Sequence, residues 1–279
     1  MDISLSIESF PLDRETAADM EALLKNYPAD YSVVLQADSW CDPLVRGFAV
    51  LAYSEVEELL AFAIAVDVVG LHHYEWSLIV TEEFRRQSIG SALADGIHHG
   101  LRQRNAEAVT AAFLEDGNAG AFLSSLNYSP SFKEMQYRAL PLAHFQMPEG
   151  IEIEPYNGER EELKGLLVSA FDQTAVPVME FNIAEPGRAV FLMKKDGEVL
   201  ATVAIVEEPE TFWITSFTVR KNEQGNGYGQ AFLEWCRHFA FTKNKDEILL
   251  DMDTDNDAVS VYQKAGFEVI STVEYWEKG

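Results

Sequence analysis

The chain has 279 residues, of which 46 are acidic and 21 are basic, giving a formal net charge of −25 at pH 7. This excess of negative charge argues against nucleic acid or an anionic membrane as partner, because both would be repelled. No apolar run approaches the length of a membrane span and no secretory signal is evident, so a cytoplasmic location is expected. The acidity itself is typical of a solvated surface, or it attracts a cationic amine. Composition leaves both interpretations open.

The first half of the chain alternates strand and helix patterns. A short alternating segment and an amphipathic run come first, at 3–7 and 14–27. A pair of apolar runs typical of a hairpin follows at 48–53 and 59–66, and a further strand is predicted at 76–80, ahead of a helical run.

The second half repeats this order. It begins with an alternating strand and an amphipathic helix, at 151–154 and 159–171. A hairpin with an Asp-Gly turn, a strand rich in aromatic residues, a helix and a last strand pattern follow, at 189–206, 211–219, 230–240 and 247–253. The chain is therefore predicted to be a tandem repeat.

The boundary between the repeats is predicted in the segment 140–150, which has two prolines, a glycine and no periodic pattern. We expect an N-terminal domain at 1–143 and a C-terminal domain at 149–279, each long enough to bury its own core. The sequence is compatible with a monomer or a homodimer.

Cysteines and histidines give no sign of a metal site. Cys41 and Cys236 lack metal-ligand or redox spacing and are expected to be reduced thiols. The histidine pairs at 72–73 and 98–99 are adjacent residues, which face different ways on a helix or a strand. No metal is expected.

The most informative segment is Gln224-Gly225-Asn226-Gly227-Tyr228-Gly229, which follows a strand pattern and opens a helix. Its three glycines lack Cβ atoms, so an anion can approach the backbone N–H groups at the positive end of the helix dipole. A phosphate-binding loop of the NTPase type is excluded because Gly229 is followed by Gln230-Ala231 and not by Lys-Ser/Thr. An antiparallel hairpin precedes the loop, which argues against a dinucleotide-binding unit.

These residues resemble the GNAT superfamily of acyl-CoA-dependent N-acetyltransferases. The family's pyrophosphate signature, Gln/Arg-x-x-Gly-x-Gly/Ala, is matched by Gln224, Gly227 and Gly229. The family's second signature is an Asn, then a short helix that carries a Tyr, and then Gly-Phe. It is similar to Asn256, Tyr262 and Gly266-Phe267. The resemblance implies an α/β (α+β) fold, in which each domain has a mixed, mostly antiparallel central sheet flanked by helices.

The resemblance also implies acetyl-CoA as co-substrate and assigns residues to it. In the family, the backbone of one strand pairs with the pantetheine arm, and this strand corresponds to Phe217, Thr218 and Val219. The N–H of Val219 is the implied donor to the thioester oxygen. The implied pyrophosphate site consists of Gln224, Gly225, Asn226, Gly227, Tyr228, Gly229 and Gln230.

Tyr262 is the implied general acid for the departing thiolate, since a phenol with a pKa of about 10 is protonated at neutral pH. It can also be a packing residue of its helix. Asn256 either hydrogen-bonds the pantetheine or caps the helix that follows it. No base is identified, although Asp251, Asp253 and Asp255 alternate along the last strand pattern.

The first repeat carries a degenerate form of both motifs. When the two repeats are aligned so that Gly90 matches Gly229, Arg85 aligns with Gln224 and Ser88 aligns with Gly227. Leu123 aligns with Tyr262. The Ser88 side chain is expected to take space near the phosphate, and a leucine cannot donate a proton. We therefore expect the C-terminal domain to be the catalytic one and to bind acetyl-CoA more tightly.

The implied function is transfer of an acetyl or other small acyl group from CoA to a primary amine on a small molecule or peptide. A non-catalytic acyl-CoA sensor or interaction protein is the alternative. In a further alternative, the N-terminal domain shapes the acceptor pocket.

Overall fold

The computed structural model describes residues 3–27, 35, 37–68, 70–115, 118–171, 175–253 and 259–278. The chain divides into two compact units. Unit 1 comprises Met1–Glu134 and Ser271–Gly279, and unit 2 comprises Met135–Ile270. Each unit contains a sheet with helices packed on it.

Unit 1 is built on a mostly antiparallel sheet. Its elements are β1 (Ser4–Ser9), α1 (Arg14–Leu24), β2 (Gly47–Tyr53), β3 (Leu59–Asp67), β4 (His73–Val80), α2 (Ile89–Gln103), β5 (Ala108–Leu114) and α3 (Ala119–Ser125), with the first part of β6 (Tyr128–Ala139) and most of β12 (Glu268–Lys278). The strand order is β1-β2-β3-β4-β5-β12. Only β4 and β5 pair in parallel among these neighbours.

Strand alternation gives the sheet of unit 1 two buried faces. In β2, Phe48 and Val50 belong to the core under α2, whereas Ala49 and Leu51 belong to the core under α1. The α2 helix approaches the sheet closely at Gly100, where a Cβ atom would lie 2.4 Å from Cε2 of Phe48. A glycine is therefore required at this helix position by packing.

Unit 2 repeats this architecture. Its elements are β7 (Ile151–Pro155), α4 (Arg160–Ala170), α5 (Ala175–Ala184), β8 (Arg188–Lys195), β9 (Glu198–Glu207), β10 (Thr211–Val219), α6 (Tyr228–Thr242), β11 (Glu247–Asp253) and α7 (Val259–Lys264), with the last part of β6. The strand order is β6-β11-β10-β9-β8-β7. The pairs from β7 to β10 are antiparallel, and β10 pairs with β11 in parallel.

Helices cover both faces of the sheet in unit 2. One buried cluster joins Phe212 and Ile214 of β10 to Phe232 and Leu233 of α6. The other joins side chains of α4 and α5 to β8 and β9, including Leu163, Met179, Leu192 and Val199. The predicted mixed, mostly antiparallel α+β architecture is thus confirmed.

The compact units do not follow the chain linearly. Met135–Ala139 of β6 fall in unit 2, and the residues of β12 from Ser271 onward fall in unit 1, where Val273 pairs with Leu114 of β5. The linear domains 1–143 and 149–279 stay a prediction. The alternation of apolar and polar residues along a strand is the same whichever sheet the strand joins. The sequence pattern therefore could not reveal that β6 and β12 each contribute residues to the other unit.

Gly100→Ala is predicted to destabilise the protein by about 1–3 kcal/mol, because overpacking against Phe48 outweighs the roughly 1 kcal/mol gained in helix propensity. The matched control is Gly165→Ala in α4, where a Cβ atom would meet nothing within 4 Å. The control should be neutral or stabilising. Thermal melting of both variants tests the pair, and an unchanged or raised melting temperature for Gly100→Ala would contradict the packing argument.

Candidate functional site

The site in unit 2 begins where two parallel strands separate. The register of β10 with β11 runs from Thr211 opposite Glu247 to Ile214 opposite Leu250. Beyond Ile214, β10 continues to Val219 and stays paired with β9 on its other side, after a bulge at Thr215. The edge of β10 that faced β11 is thereby opened to an extended ligand.

The glycine loop after β10 has the backbone conformation of an anion site. Gly225 and Gly227 have φ values of 80° and 84°, and a Cβ atom on either would meet nothing within 4 Å. Gly227 precedes α6 without a side-chain cap, and the first helical bond runs from the N–H of Ala231 to the carbonyl of Gly227. The N–H groups of the first helical turn are therefore presented to the space before the helix, which suits a pyrophosphate.

Side chains of the loop contact neighbouring residues. Nε2 of Gln224 donates to the carbonyl of Val219 at 3.1 Å and ties the loop to the end of β10. The other loop contacts are Asn226 Nδ2 to Glu223 Oε2 at 3.4 Å, Lys195 Nζ to the hydroxyl of Tyr228 at 3.0 Å, and Gln230 Nε2 to Glu234 Oε1 at 2.8 Å. Through these contacts the side chains brace the loop while the main chain presents the N–H groups.

The three residues implied to pair with pantetheine differ in side-chain environment. Val219 and Phe217 face the helix start, since a Cβ atom on Gly229 would lie 3.4 Å from Val219 Cγ2 and 3.6 Å from Phe217 Cζ. Thr218 points to the opposite face of the strand, is buried, and its hydroxyl has no hydrogen-bond partner among the described residues. The side chain of Thr218 is therefore turned away from the face of the strand that carries Phe217 and Val219.

Tyr262 lies on α7 in the core beside the separated strand. It is 6% exposed, and its ring centroid lies 5.6 Å from that of Tyr137 and 6.2 Å from that of Phe217. Burial raises the pKa of Tyr262 to about 12, so the phenol is neutral at pH 7. Its protonation state suits a proton donor.

Only some of the remaining candidate site residues of unit 2 lie in the described part of the chain. Asn256 and Asp255 lie outside the described residues, as does the side chain of Asp253. Asp251 is exposed on β11. Arg220, the first residue after β10, donates through Nε and Nη2 to the carbonyl of Val199, at 3.0 and 2.6 Å. The general base stays unidentified.

Unit 1 contains the same arrangement. The register of β4 with β5 ends at Trp76 opposite Ala111, although β4 continues to Val80. Nε of Arg85 donates to the carbonyl of Val80 at 3.0 Å, the counterpart of the bond from Gln224 to Val219. These equivalent contacts support the alignment of the two repeats.

Ser88 leaves the loop conformation of unit 1 unchanged. Its φ is 65° and its ψ is 6°, close to the 84° and −4° of Gly227, and Arg86 has a φ of 62° where Gly225 has 80°. Like Gly227, Ser88 precedes its helix without a side-chain cap. The serine thus preserves the backbone of the anion site at some conformational cost.

A cavity of about 620 Å³ in unit 1 extends from the end of β4 to this loop. Its polar lining includes Ser77, Arg85, Arg86, Ser88 and Asn118, and its apolar lining includes Phe113 and Phe122. The sequence analysis placed the stronger site in the other half of the chain and missed this cavity. The spacing Arg85-x-x-Ser88-x-Gly90 locates the loop that borders the cavity, but it does not reveal the cavity itself.

The two repeats differ at the position of the implied acid. A Cβ atom on Gly90 would lie 3.5 Å from Phe122, and one on Gly229 would lie 3.3 Å from Val261. The next residues in the chain are the buried Leu123 and Tyr262, which therefore occupy equivalent positions. Unit 1 has no phenol there.

Each half of the chain therefore contains a strand, a loop with two left-handed residues and a helix in the same arrangement, which defines a tandem repeat of one α+β architecture. A family model described as "Acetyltransferase (GNAT) family" matches residues 15–123 and 155–267, and the chain belongs to this family. Among curated proteins, no sequence matches the chain.

Solved structures share the fold over the full length. A GCN5-related N-acetyltransferase from Sphaerobacter thermophilus is 19% identical with a TM-score of 0.68, over 98% of this chain and 95% of that one. A tandem GNAT protein from the clavulanic acid biosynthesis pathway is 14% identical with a TM-score of 0.68, over 98% of each chain. A GNAT-family acetyltransferase from Colwellia psychrerythraea is 14% identical with a TM-score of 0.57, over 98% and 100%.

The described residues contain no group of three or more histidine, cysteine, aspartate or glutamate side chains arranged to hold a metal ion. Within the same part of the chain, no helix has the length and hydrophobicity needed to cross a membrane.

We predict that acyl-CoA binds at both loops and that Gly227→Glu and Ser88→Glu each remove one binding event. A carboxylate beside the pyrophosphate should weaken binding at that loop by about 100-fold or more, since like charges in contact cost several kcal/mol. Calorimetric titration with acetyl-CoA measures both events. The intact Gly227 predicts that its loop binds more tightly.

The controls exchange the two native residues. Gly227→Ser and Ser88→Gly should keep both binding events, because each residue already adopts this conformation in the other unit. Complete loss of binding in Ser88→Glu, with Gly227→Glu behaving as wild type, would contradict the prediction and assign all acyl-CoA binding to the cavity of unit 1.

Proposed function

We propose that the protein transfers an acetyl or another small acyl group from acyl-CoA to a primary amine and that unit 2 catalyses the transfer. The observation that carries the proposal is the contact of Tyr262 with Phe217, because it joins a neutral phenol to the opened strand that ends at the glycine loop. Unit 1 has the loop and the cavity but has Leu123 in place of the phenol.

Acyl-CoA suits the residues of unit 2 by charge and shape. The glycine loop offers N–H groups and open space to the pyrophosphate, and the unpaired edge of β10 from Thr215 to Val219 offers backbone groups to the pantetheine amides. Acyl-CoA supplies the activated thioester carbonyl. An N–H of the opened strand, which we assign to Val219, polarises this carbonyl by donating to its oxygen.

The transfer requires one new bond, one broken bond and the movement of two protons. The neutral amine nitrogen attacks the thioester carbon, the C–S bond breaks, and the amide nitrogen loses a proton to water or to an unidentified base. The departing thiolate takes a proton from Tyr262, which is later restored from solvent. Because burial keeps this phenol protonated, the donor is present throughout the physiological pH range.

Tyr262→Phe is predicted to lower kcat by about 100-fold while the affinity for acetyl-CoA stays unchanged. The substitution removes only the hydroxyl and preserves the ring contacts with Phe217 and Tyr137. The matched control is Tyr137→Phe, which removes a hydroxyl from the neighbouring buried ring and should leave kcat near the wild-type value. Thermal melting checks that both variants are folded.

The assay that identifies the acceptor is release of free CoA thiol from acetyl-CoA across a panel of primary amines. If the kcat of Tyr262→Phe with a true acceptor equals that of the wild type, the hydroxyl is not the proton donor and Tyr262 is a packing residue. Tight acyl-CoA binding without turnover on any amine would instead favour a sensor. The cavity of unit 1, which has no phenol at the position of the acid, is the observation that favours this second function.

A further inference from the structure

The opened strand of unit 2 is flanked by Arg188, which forms no ion pair with the described acidic residues. Nη1 of Arg188 donates to Oδ1 of Asn182 and to Oγ1 of Thr215, both at 2.8 Å. Its guanidinium carbon lies 4.8 Å from the ring centroid of Phe181. The side chain is therefore held by α5 on one side and by the bulge of β10 on the other.

The Nε and Nη2 side of the guanidinium is the one that binds carboxylates in a bidentate manner. Both bonds from the Arg188 side chain to described residues use Nη1, so Nε and Nη2 have no acceptor within the described part of the chain. These two N–H groups point in parallel and form the fork that binds a carboxylate in a bidentate manner. Arg188 is thus positioned by three neighbours without being neutralised by any of them.

Several other cations of unit 2 have acidic partners, whereas the guanidinium groups of Arg220 and Arg237 donate through Nε and a second nitrogen to backbone carbonyls. Lys194 pairs with Glu154 and Glu159, Lys245 pairs with Glu207, and Arg160 pairs with Glu180. In a chain with a net charge of −25, a fixed guanidinium that lacks such a partner within the described residues is a local site for an anion.

The location connects this site to the proposed reaction. Thr215 is the bulged residue and the first residue of β10 beyond its register with β11. At about 3.3 Å per residue, Thr215 lies about 7 Å along the strand from Phe217 and about 13 Å from Val219. An acceptor that reaches the thioester from Arg188 must therefore carry its anion several bonds away from its amine.

We propose that Arg188, held by Asn182 and Thr215, binds the carboxylate of the acceptor, and that the acceptor is an amino acid whose reactive amine lies at the far end of an alkyl chain. The inference rests on the proposed function of unit 2 and names the substrate class. The half-exposed ring of Phe181 beside the guanidinium offers an apolar surface to the methylene groups.

The test compares 6-aminohexanoate with 6-aminohexanamide, which has the same length and amine but no negative charge. Wild-type kcat/KM should be about tenfold or more higher for the carboxylate, as expected for a charge-assisted pair. Arg188→Gln should abolish this preference by raising KM for the carboxylate, with little change for the amide. Arg188→Lys should retain an intermediate preference, because it keeps the charge without the fork.

The control variant is Arg160→Gln, which removes another guanidinium of unit 2 and should leave the preference unchanged. Calorimetry with 6-aminohexanoate in the absence of acyl-CoA measures binding independently of turnover. Equal use of both amines by the wild type, or equal binding by wild type and folded Arg188→Gln, overturns the inference and leaves the proposed function standing. Binding that depends on Arg188 without any acetyl transfer supports the inference and overturns the proposed function.

Discussion

Both units depend on a pair of parallel strands whose hydrogen-bonded pairing stops before one of the strands ends. In unit 2, β10 leaves the register with β11 at Ile214, and in unit 1, β4 leaves the register with β5 at Trp76. Unpaired backbone groups are costly unless they meet water or a ligand. The separation therefore generates an edge that suits an extended amide-containing ligand, and it leads directly to the helix start that suits an anion. The cavity of unit 1 is lined by the part of β4 that lies beyond its register with β5.

The two repeats share this backbone arrangement and differ in the side chain next to the opened strand. A side chain ties each loop to the last strand residue, with Arg85 in one unit and Gln224 in the other. The backbone at Ser88 and at Gly227 is left-handed in both cases. At the position next to the opened strand, however, a leucine replaces a tyrosine. A similar loop geometry with a leucine in place of the proposed acid is what the proposed division into a binding unit and a catalytic unit requires.

The sequence predicted the elements whose causes are local. The spacing of Gln224, Gly227 and Gly229 located the loop, because positive φ and close approach of an anion both favour glycine there. The same spacing located the loop of unit 1. It did not indicate that Ser88 adopts the same conformation or that the cavity lies beside it, since these depend on how β4, β5 and α3 pack.

Contacts between distant positions were also beyond the reach of sequence pattern. The pairing of Val273 with Leu114 joins residues far apart in the chain, and alternation alone does not choose the partner strand. The bonds of Arg188 to Asn182 and Thr215 require a helix, a strand end and a bulge to meet. Tyr262 was found by spacing, whereas its burial against Phe217 and Tyr137, and the resulting rise in its pKa, required the packed structure.

The proposed acetylation of amines by an acidic protein involves a conflict between binding and reactivity. Negative charge attracts the ammonium form and raises its pKa, yet only the neutral amine can attack a thioester. An amine of the lysine type, with a pKa of about 10.4, is already almost fully protonated at neutral pH. If recognition depended on the ammonium charge, binding would stabilise the unreactive state. Anchoring the acceptor through a carboxylate on Arg188 provides binding that is similar for both protonation states, so that loss of the proton does not weaken the complex that must react.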